Sequence, residues 1–126
     1  MRRPMARGPS KYGNKKTTII FKGEEVTFDS RKEAARAKEL ELLERAGEIE
    51  GLEIQKAFIL QEGFVNSQGK KRTPIKYIAD FVYWKVDGKD YIYTIEDVKS
   101  PATKSNKVYQ MKKKMMEYQG YEIQEV

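Results

Sequence analysis

Two reactive side-chain types, cysteine and histidine, are missing from this chain of 126 residues. The lack of cysteine excludes a disulfide framework, a thiolate metal site and a thiol nucleophile. The lack of histidine excludes Ser-His-Asp catalysis and every metal site that needs an imidazole. A metal bound by this chain must therefore be held by oxygen ligands, which favours Mg²⁺, with Mn²⁺ as a possible substitute, over zinc.

Long hydrophobic runs are also missing. No apolar run approaches the roughly 20 residues that span a bilayer, and the first residues lack an apolar signal-peptide core. We therefore expect a soluble, cytoplasmic protein with no membrane partner. The length fits one domain that can bury its own core.

Acidic residues are missing from the first 16 positions, which carry the whole net charge of +6. The rest of the chain has equal numbers of basic and acidic side chains. Pro and Gly residues interrupt the segment, so we predict a flexible basic arm over residues 1–16 that contacts the phosphate backbone of a nucleic acid. A solubilising tail is the alternative. The basic residues of the arm are Arg2, Arg3, Arg7, Lys11, Lys15 and Lys16.

The apolar pattern predicts a small α/β domain over residues 17–126. A β-hairpin over residues 17–28 comes first. A capping-box sequence, Ser30 with Glu33 three residues later, begins a helix that Gly47 ends.

Three strands, a helix and a last strand follow. Residues 63–74 are polar and basic, which predicts a long hairpin loop, and residues 101–106 interrupt the pattern. The helix after this break is predicted to bury Val108, Met111, Met115 and Tyr118. The predicted strands span residues 52–61, 75–86, 91–99 and 121–126. The order after the hairpin is α-β-β-β-α-β.

Two acids and a lysine stand out within these strands. Asp80 lies inside an apolar run, where an unpaired carboxylate is costly. Asp97 and Lys99 close the next strand, and residues two apart on a strand share a face. Asp97 and Lys99 can therefore bind a metal and orient a water together, or they can form a surface ion pair of little energetic value. Glu96 faces away and is a second-rank candidate.

This order of elements and acids resembles the core of the PD-(D/E)xK nuclease superfamily. More narrowly, four motifs are similar to a family of small phage and prophage proteins described as Holliday-junction-resolvase-like endonucleases. The motifs are Ser10-Lys11-Tyr12-Gly13-Asn14, Phe28-Asp29-Ser30-Arg31-Lys32-Glu33-Ala34, Tyr77-Ile78-Ala79-Asp80-Phe81 and Glu96-Asp97-Val98-Lys99. This chain departs from the superfamily pattern in two ways. No proline precedes Asp80, and Asp97, the acid before Lys99, is aspartate rather than glutamate, which shortens its reach to a metal.

The resemblance implies a restriction-endonuclease-like αβββαβ core, with a mixed central sheet flanked by helices. It implies that Asp80, Asp97 and the backbone carbonyl of Val98 bind Mg²⁺ and that Lys99 is the catalytic lysine. It also assigns Glu33 to the catalytic and metal-binding residues, although closing the capping box would explain Glu33 completely.

The expected function is therefore a metal-dependent, structure-selective DNA endonuclease of phage or prophage origin. Symmetric cleavage of a four-way junction requires two active sites, so a homodimer is expected. The basic run Lys70, Lys71 and Arg72 is expected to contact DNA from its loop. Two alternatives stay open: a DNA-end or nicking nuclease without junction preference, and a non-catalytic DNA-binding protein.

Overall fold

The structure, a computed structural model, describes residues 15–126. These residues form a mixed α/β fold with a mixed central sheet, as the sequence predicts. The chain divides into two compact units, of which the first ends at Leu42 and the second runs from Leu43 to Val126. The single domain expected over residues 17–126 stays a prediction.

The first unit contains the hairpin expected near the beginning of the chain. Strands β1 (Thr17–Phe21) and β2 (Glu24–Phe28) pair antiparallel. The two residues between them, Lys22 and Gly23, have φ values of 52° and 84°. Two consecutive positive φ values match the right-handed twist of the flanking strands, and this explains why glycine occupies the second position.

Helix α1 (Arg31–Arg45) begins in the first unit and ends in the second. The Ser30 hydroxyl accepts a hydrogen bond from the Glu33 amide at 3.1 Å, which satisfies one of the amide groups that a helix start leaves unpaired. Gly47, with a φ of 80°, follows the last turn. The structure thus confirms the predicted start and end of this helix.

The second unit is built on a four-stranded sheet in the order β3-β6-β7-β8. The pairs β3–β6 and β6–β7 are antiparallel, whereas β7–β8 is parallel and is connected through helices. In chain order, the unit contains β3 (Ile49–Gln61), β4 (Phe64–Val65), β5 (Lys71–Arg72), β6 (Ile75–Asp87), β7 (Asp90–Asp97), α2 (Pro101–Lys104), α3 (Lys107–Tyr118) and β8 (Ile123–Glu125).

Helix α3 packs on one face of this sheet. Met116 is fully buried there, and Tyr109 packs against the same cluster. Burial of a side chain of this size contributes about 1.5–3 kcal/mol, so Met116 is the main apolar anchor of the helix. The sheet side of the cluster consists of Tyr77, Ala79, Val82, Ile95 and Ile123.

The predicted buried face of α3 is wrong. Val108, Met111 and Tyr118 are 57%, 52% and 93% exposed. Apolar residues occupy more than one side of this helix, and the side with Tyr109 and Met116 packs on the sheet. Periodicity alone does not distinguish two such stripes.

No helix within residues 15–126 has the length and apolar character that crossing a bilayer requires.

Other boundaries also differ from the prediction. Residues 63–74 contain a small hairpin of their own, β4 with β5, and Asn66 closes its turn by accepting the amides of Gln68 and Lys70. The break at 101–106 contains the short helix α2. Strand β7 ends at Asp97, two residues earlier than expected. The last difference matters most, because it places Lys99 beyond the strand.

Candidate active site

The two central strands separate where the two predicted acids lie. The β6–β7 ladder ends with the pair Phe81 and Glu96. Immediately beyond it, Asp80 on β6 accepts a hydrogen bond from the Val98 amide at 2.8 Å through Oδ2. The carboxylate thus takes the position of a main-chain acceptor. Strand β7 continues instead beside β8, where Asp97 pairs with Glu125.

Strand β3, which pairs with the other side of β6, has an irregular backbone opposite Asp80. The register of β3 against β6 pairs Ile54 with Phe81 and Lys56 with Ala79, which places Gln55 opposite Asp80. Gln55 has a φ of 54°, a value that a side chain with a Cβ rarely adopts. Irregular backbone of this kind collects at functional sites, where the surrounding fold holds it.

Asp97 is buried, with 2% of its surface exposed. Its Oδ2 accepts a hydrogen bond from the Tyr77 hydroxyl at 2.5 Å. Burial raises the pKa of Tyr77 well above the ordinary range, and the charge of Asp97 and this hydrogen bond raise it further. The Tyr77 hydroxyl therefore stays protonated and remains a donor that holds Asp97 in one orientation.

Lys99 reaches Asp97 from beyond the end of the strand. Its Nζ lies 3.5 Å from Asp97 Oδ2 and 4.2 Å from the centre of the Tyr109 ring. The Lys99 side chain is 18% exposed and that of Asp97 3%, so the surface ion pair considered above is not what forms. The two side chains are thus neighbours, although Lys99 lies beyond the strand that contains Asp97.

The charges of Asp80 and Asp97 affect the pKa values of the same two residues, Tyr77 and Tyr109. The charges of both acids raise the pKa of Tyr77, after the larger effect of burial. Both also contribute to the raised pKa of Tyr109, after burial and the hydrogen bond and charge of Glu125. The two carboxylates and Lys99 therefore lie in one small region at the end of the β6–β7 ladder.

The donors in this region suit a hard cation. Carboxylate oxygens are the ligands that Mg²⁺ prefers, and Mg²⁺ in phosphoryl chemistry commonly uses one or two of them, with water and phosphate oxygens in the other positions. Within residues 15–126, no three acidic side chains are placed to hold a metal ion together. The carboxylates of Asp80 and Asp97 are of the chemical kind that Mg²⁺ uses, and the magnesium site itself stays a prediction. The backbone carbonyl of Val98 stays a predicted ligand. The contact that the structure shows for Val98 is the hydrogen bond from its amide to Asp80.

The other two acids considered from the sequence have different surroundings. Glu33 lies on the first turn of α1 and is 5% exposed, and its amide completes the Ser30 cap. Glu96 is also buried, and it accepts a hydrogen bond from the Tyr83 hydroxyl. This bond places Glu96 on the opposite face of β7 from Asp97, as the alternation of a strand predicts.

A second group that combines a carboxylate, a tyrosine and a lysine lies beside the first, and sequence reasoning missed it. Glu125 Oε2 accepts from the Tyr109 hydroxyl at 2.5 Å and from Lys113 Nζ at 3.2 Å. The hydrogen bond from Tyr109, followed by that from Lys113, lowers the pKa of Glu125. A buried tyrosine hydroxyl needs a partner, and that requirement is the signal that could have revealed Tyr77 and Tyr109. We call Tyr77, Asp97 and Lys99 the Asp97 group, and Tyr109, Glu125 and Lys113 the Glu125 group.

The basic residues expected to contact DNA are exposed wherever the structure describes them. Lys70, Lys71 and Arg72 lie on the β4–β5 hairpin. Lys15 is exposed, and Lys16 forms an exposed ion pair of 2.9 Å with Asp29. Such a pair is weak, so Lys16 can exchange it for a phosphate. The remaining residues of the predicted arm, Arg2, Arg3, Arg7 and Lys11, lie outside the described residues.

Comparison with known proteins gives one match. Residues 9–126 match a family model described as "Protein of unknown function (DUF1064)", and this range includes every acid and lysine of the candidate site. No curated protein matches the chain, and no solved structure matches it.

Proposed function

The chain belongs to the DUF1064 family, whose function is unknown, and we propose that it is a metal-dependent, structure-selective DNA endonuclease that resembles Holliday-junction resolvases. The observation that supports this proposal is the convergence of Asp80, Asp97 and Lys99 where β6 and β7 separate. We also propose that the mixed sheet with α1 and α3 corresponds to the αβββαβ core of the PD-(D/E)xK superfamily.

The proposal assigns Mg²⁺ to Asp80 and Asp97. When bound, the ion would supply an activated water and neutralise charge on the scissile phosphate. The two acids come from neighbouring strands, and each is fixed by a hydrogen bond from the fold: the Val98 amide for Asp80 and the Tyr77 hydroxyl for Asp97. A carboxylate has about four acceptor positions, so these bonds are compatible with metal binding.

Lys99 supplies the positive charge that phosphodiester hydrolysis needs next to the reacting phosphate. The Tyr109 ring and Asp97 together position its ammonium group. A cation held in a largely buried position stabilises developing negative charge more strongly than one in water, because the surroundings need no reorganisation. We assign Lys99 this role, together with orientation of the attacking water.

DNA recognition in this proposal uses the phosphate backbone and the shape of the substrate. The exposed β4–β5 hairpin presents Lys70, Lys71 and Arg72, and the predicted basic arm adds further charge. Recognition of this kind selects branched DNA without reading bases. We propose a homodimer, since paired cuts need two sites, and cytoplasmic action in a bacterial host, as the resemblance implies.

The decisive experiment compares cleavage of a labelled four-way junction, a linear duplex and a single strand, with Mg²⁺ and with chelator. Wild type is tested beside Asp97→Asn and Glu96→Gln. Glu96 is a matched control, because it is the adjacent residue, is equally buried and also accepts a tyrosine hydrogen bond. We expect Mg²⁺-dependent paired cuts in the junction, lost in Asp97→Asn and retained in Glu96→Gln.

Other outcomes separate the alternatives. Equal cutting of all three DNAs, with the same loss in Asp97→Asn, would identify an end-cleaving or nicking nuclease. Junction binding without cleavage in Mg²⁺ or Mn²⁺ would identify a non-catalytic DNA-binding protein. Loss of cleavage in both variants would show that burial, not the chemistry of Asp97, accounts for the effect, and the site assignment would then be wrong.

The role of Glu33 stays a prediction from the resemblance. We expect Glu33→Gln to lower cleavage while leaving the unfolding midpoint close to wild type. Ser30→Ala is the control, since it removes the observed cap and should lower stability by about 0.5–2 kcal/mol. Normal cleavage by Glu33→Gln would leave Glu33 with a structural role alone.

A further inference from the structure

A groove lined by aromatic side chains lies in the second unit, on the sheet face that carries α3. Its volume is about 590 Å³, within the range of sites for small organic ligands. Four rings line it, and none of them belongs to the Asp97 group. They are Phe58, Trp84, Tyr93 and Tyr121. We refer to these four residues as the aromatic groove.

The rings form two pairs. Trp84 and Tyr93 have centroids 4.8 Å apart, with 56° between their planes. Phe58 and Tyr121 are 5.2 Å apart at 62°. Trp84 is 45% exposed and Tyr121 37%, although large aromatic residues contribute most to stability when buried. Flat aromatic surface is thus held open to solvent by partners that fix its orientation.

The polar groups of the groove suit a base attached to a phosphate. Among the described lining residues, Lys56 alone is charged, and Gln119 offers a carboxamide. Lys56 Nζ lies 4.0 Å from Glu53 in an exposed pair, which is weak enough to open for another anion. Gln119 Nε2 donates a long bond of 3.4 Å to the Ile59 carbonyl, and a shorter bond to a base edge can replace it.

The aromatic groove is linked to the candidate active site through a contact in the core of the second unit. The Phe58 ring lies 6.2 Å from that of Tyr77, whose hydroxyl holds Asp97. Tyr77 and Phe58 are paired in register across β6 and β3. Of the possible aromatic ligands, a nucleotide combines the flat ring, the polar edge and the negative charge that this lining complements.

We propose that the aromatic groove binds an unpaired base of a DNA strand by stacking, with Lys56 on the adjoining phosphate. The proposal deepens the nuclease function and rests on it, because it states which part of a branched substrate the protein holds. Aromatic stacking of this kind tolerates every base. It therefore favours DNA with unpaired nucleotides near the branch over a fully paired duplex.

The chain has a built-in reporter for this site, since Trp84 is its only tryptophan. Intrinsic fluorescence is titrated in chelator with an oligothymidine and with an abasic oligomer of equal length. Asp97→Asn is titrated in parallel, so that cleavage plays no part. We expect the base-bearing oligomer to quench Trp84 saturably, and the abasic oligomer to bind at least about 10-fold more weakly.

Two variants test the assignment through the anisotropy of a labelled oligothymidine. Trp84→Leu should weaken binding at least about 10-fold, and Trp84→Phe, which retains a ring, should recover most of it. Tyr118→Ala is the matched control, because Tyr118 is 93% exposed but lies outside the groove, and it should bind as wild type. Circular dichroism checks that each variant is folded.

Equal binding and equal quenching by the abasic oligomer would overturn the groove proposal, as would an unchanged affinity of folded Trp84→Leu. Failure of the nuclease proposal gives a different result. The junction is then not cleaved in Mg²⁺, whether or not the aromatic groove binds the oligothymidine. Cleavage with no effect of Trp84→Leu on binding would retain the nuclease and reject the base-binding site.

Discussion

The Asp97 group and the Glu125 group each combine a carboxylate with a tyrosine and a lysine, and their carboxylates are paired in register on the parallel strands β7 and β8. Each carboxylate accepts a tyrosine hydroxyl at 2.5 Å and lies near a lysine. They differ in burial, since the Asp97 side chain is 3% exposed and that of Glu125 19%. They differ also in the lysine distance, 3.5 Å against 3.2 Å.

The two groups thus have different electrostatic surroundings although their composition is similar. The Glu125 carboxylate is compensated by Tyr109 and Lys113 and remains partly hydrated, which is a stable arrangement for an ion pair. The Asp97 carboxylate is almost fully buried, accepts the Tyr77 hydroxyl and lies 3.5 Å from the Lys99 ammonium. Buried negative charge of this kind costs free energy unless hydrogen bonds and positive charges compensate it. Under the proposed function, Mg²⁺ binds beside the Asp97 group, whereas the Glu125 group has a structural role.

The largest expected effect is a difference in DNA cleavage between variants of the two lysines. We expect Lys99→Gln to reduce DNA cleavage about 100- to 1,000-fold, as removal of a preorganised electrostatic group typically does. Lys113→Gln should leave the rate within about threefold of wild type, since Lys113 serves Glu125 alone in this proposal. The measurement is single-turnover cleavage of the preferred DNA. Equal losses in the two variants would erase the distinction between the groups.

Removal of each tyrosine hydroxyl should separate the groups by stability. Tyr77→Phe leaves a buried carboxylate short of one donor, and we expect a loss of about 1.5–3 kcal/mol in the free energy of unfolding. Tyr109→Phe should cost about 0.5–1.5 kcal/mol, because water can reach Glu125. Urea denaturation measures both. A larger loss in Tyr109→Phe would contradict the burial argument.

The stabilising role of the Tyr77 hydroxyl should also be visible at alkaline pH. The pKa of Tyr77 is raised in the folded state from the ordinary value of 10.0, so its contribution to stability is present below about pH 10 and is lost as the pH rises above it. We expect the unfolding midpoint of wild type to fall more steeply above about pH 10 than that of Tyr77→Phe. Tyr118→Phe, which changes a 93% exposed residue, should follow wild type.

The smallest effect is expected in acid. The pKa of Glu125 is lowered from the ordinary value of 4.5, chiefly by the Tyr109 hydrogen bond, so its contribution is present above about pH 4.5 and is lost as the pH falls through the folded-state value. Glu125→Gln lacks this titration. Its unfolding midpoint should therefore change less than that of wild type between about pH 6 and about pH 3. A parallel decline of the two proteins would show that Glu125 contributes nothing to the acid response.

Much of the fold could be predicted from the sequence because local signals agreed with the tertiary structure. Ser30 and Gly47 mark the ends of α1, and the apolar run around Asp80 marks a strand. The buried face of α3 could not be predicted, because Met111 and Met116 are equally apolar and only packing against the sheet chooses between them. Sequence reasoning therefore reached the elements more easily than their contacts.

The candidate site could likewise be predicted only in its residue types and not in its contacts. Asp80, Asp97 and Lys99 stand out as residue types, and the structure brings them together. Tyr77, Tyr109 and Glu125 were missed, since a tyrosine in a core strand looks apolar until the partner of its hydroxyl is known. The end of β7 at Asp97 was also missed, because strand ends depend on which neighbour continues the ladder.

The hydrogen bond between the Val98 amide and Asp80 gives the protein an internal NMR probe. The proton of this amide points at a carboxylate, whereas most amides in a sheet point at a carbonyl. Its chemical shift and its exchange with solvent therefore follow the charge on Asp80 directly. A ¹⁵N-labelled sample titrated with Mg²⁺ would report occupancy of the acid pair through this single resonance, with no DNA and no cleavage required.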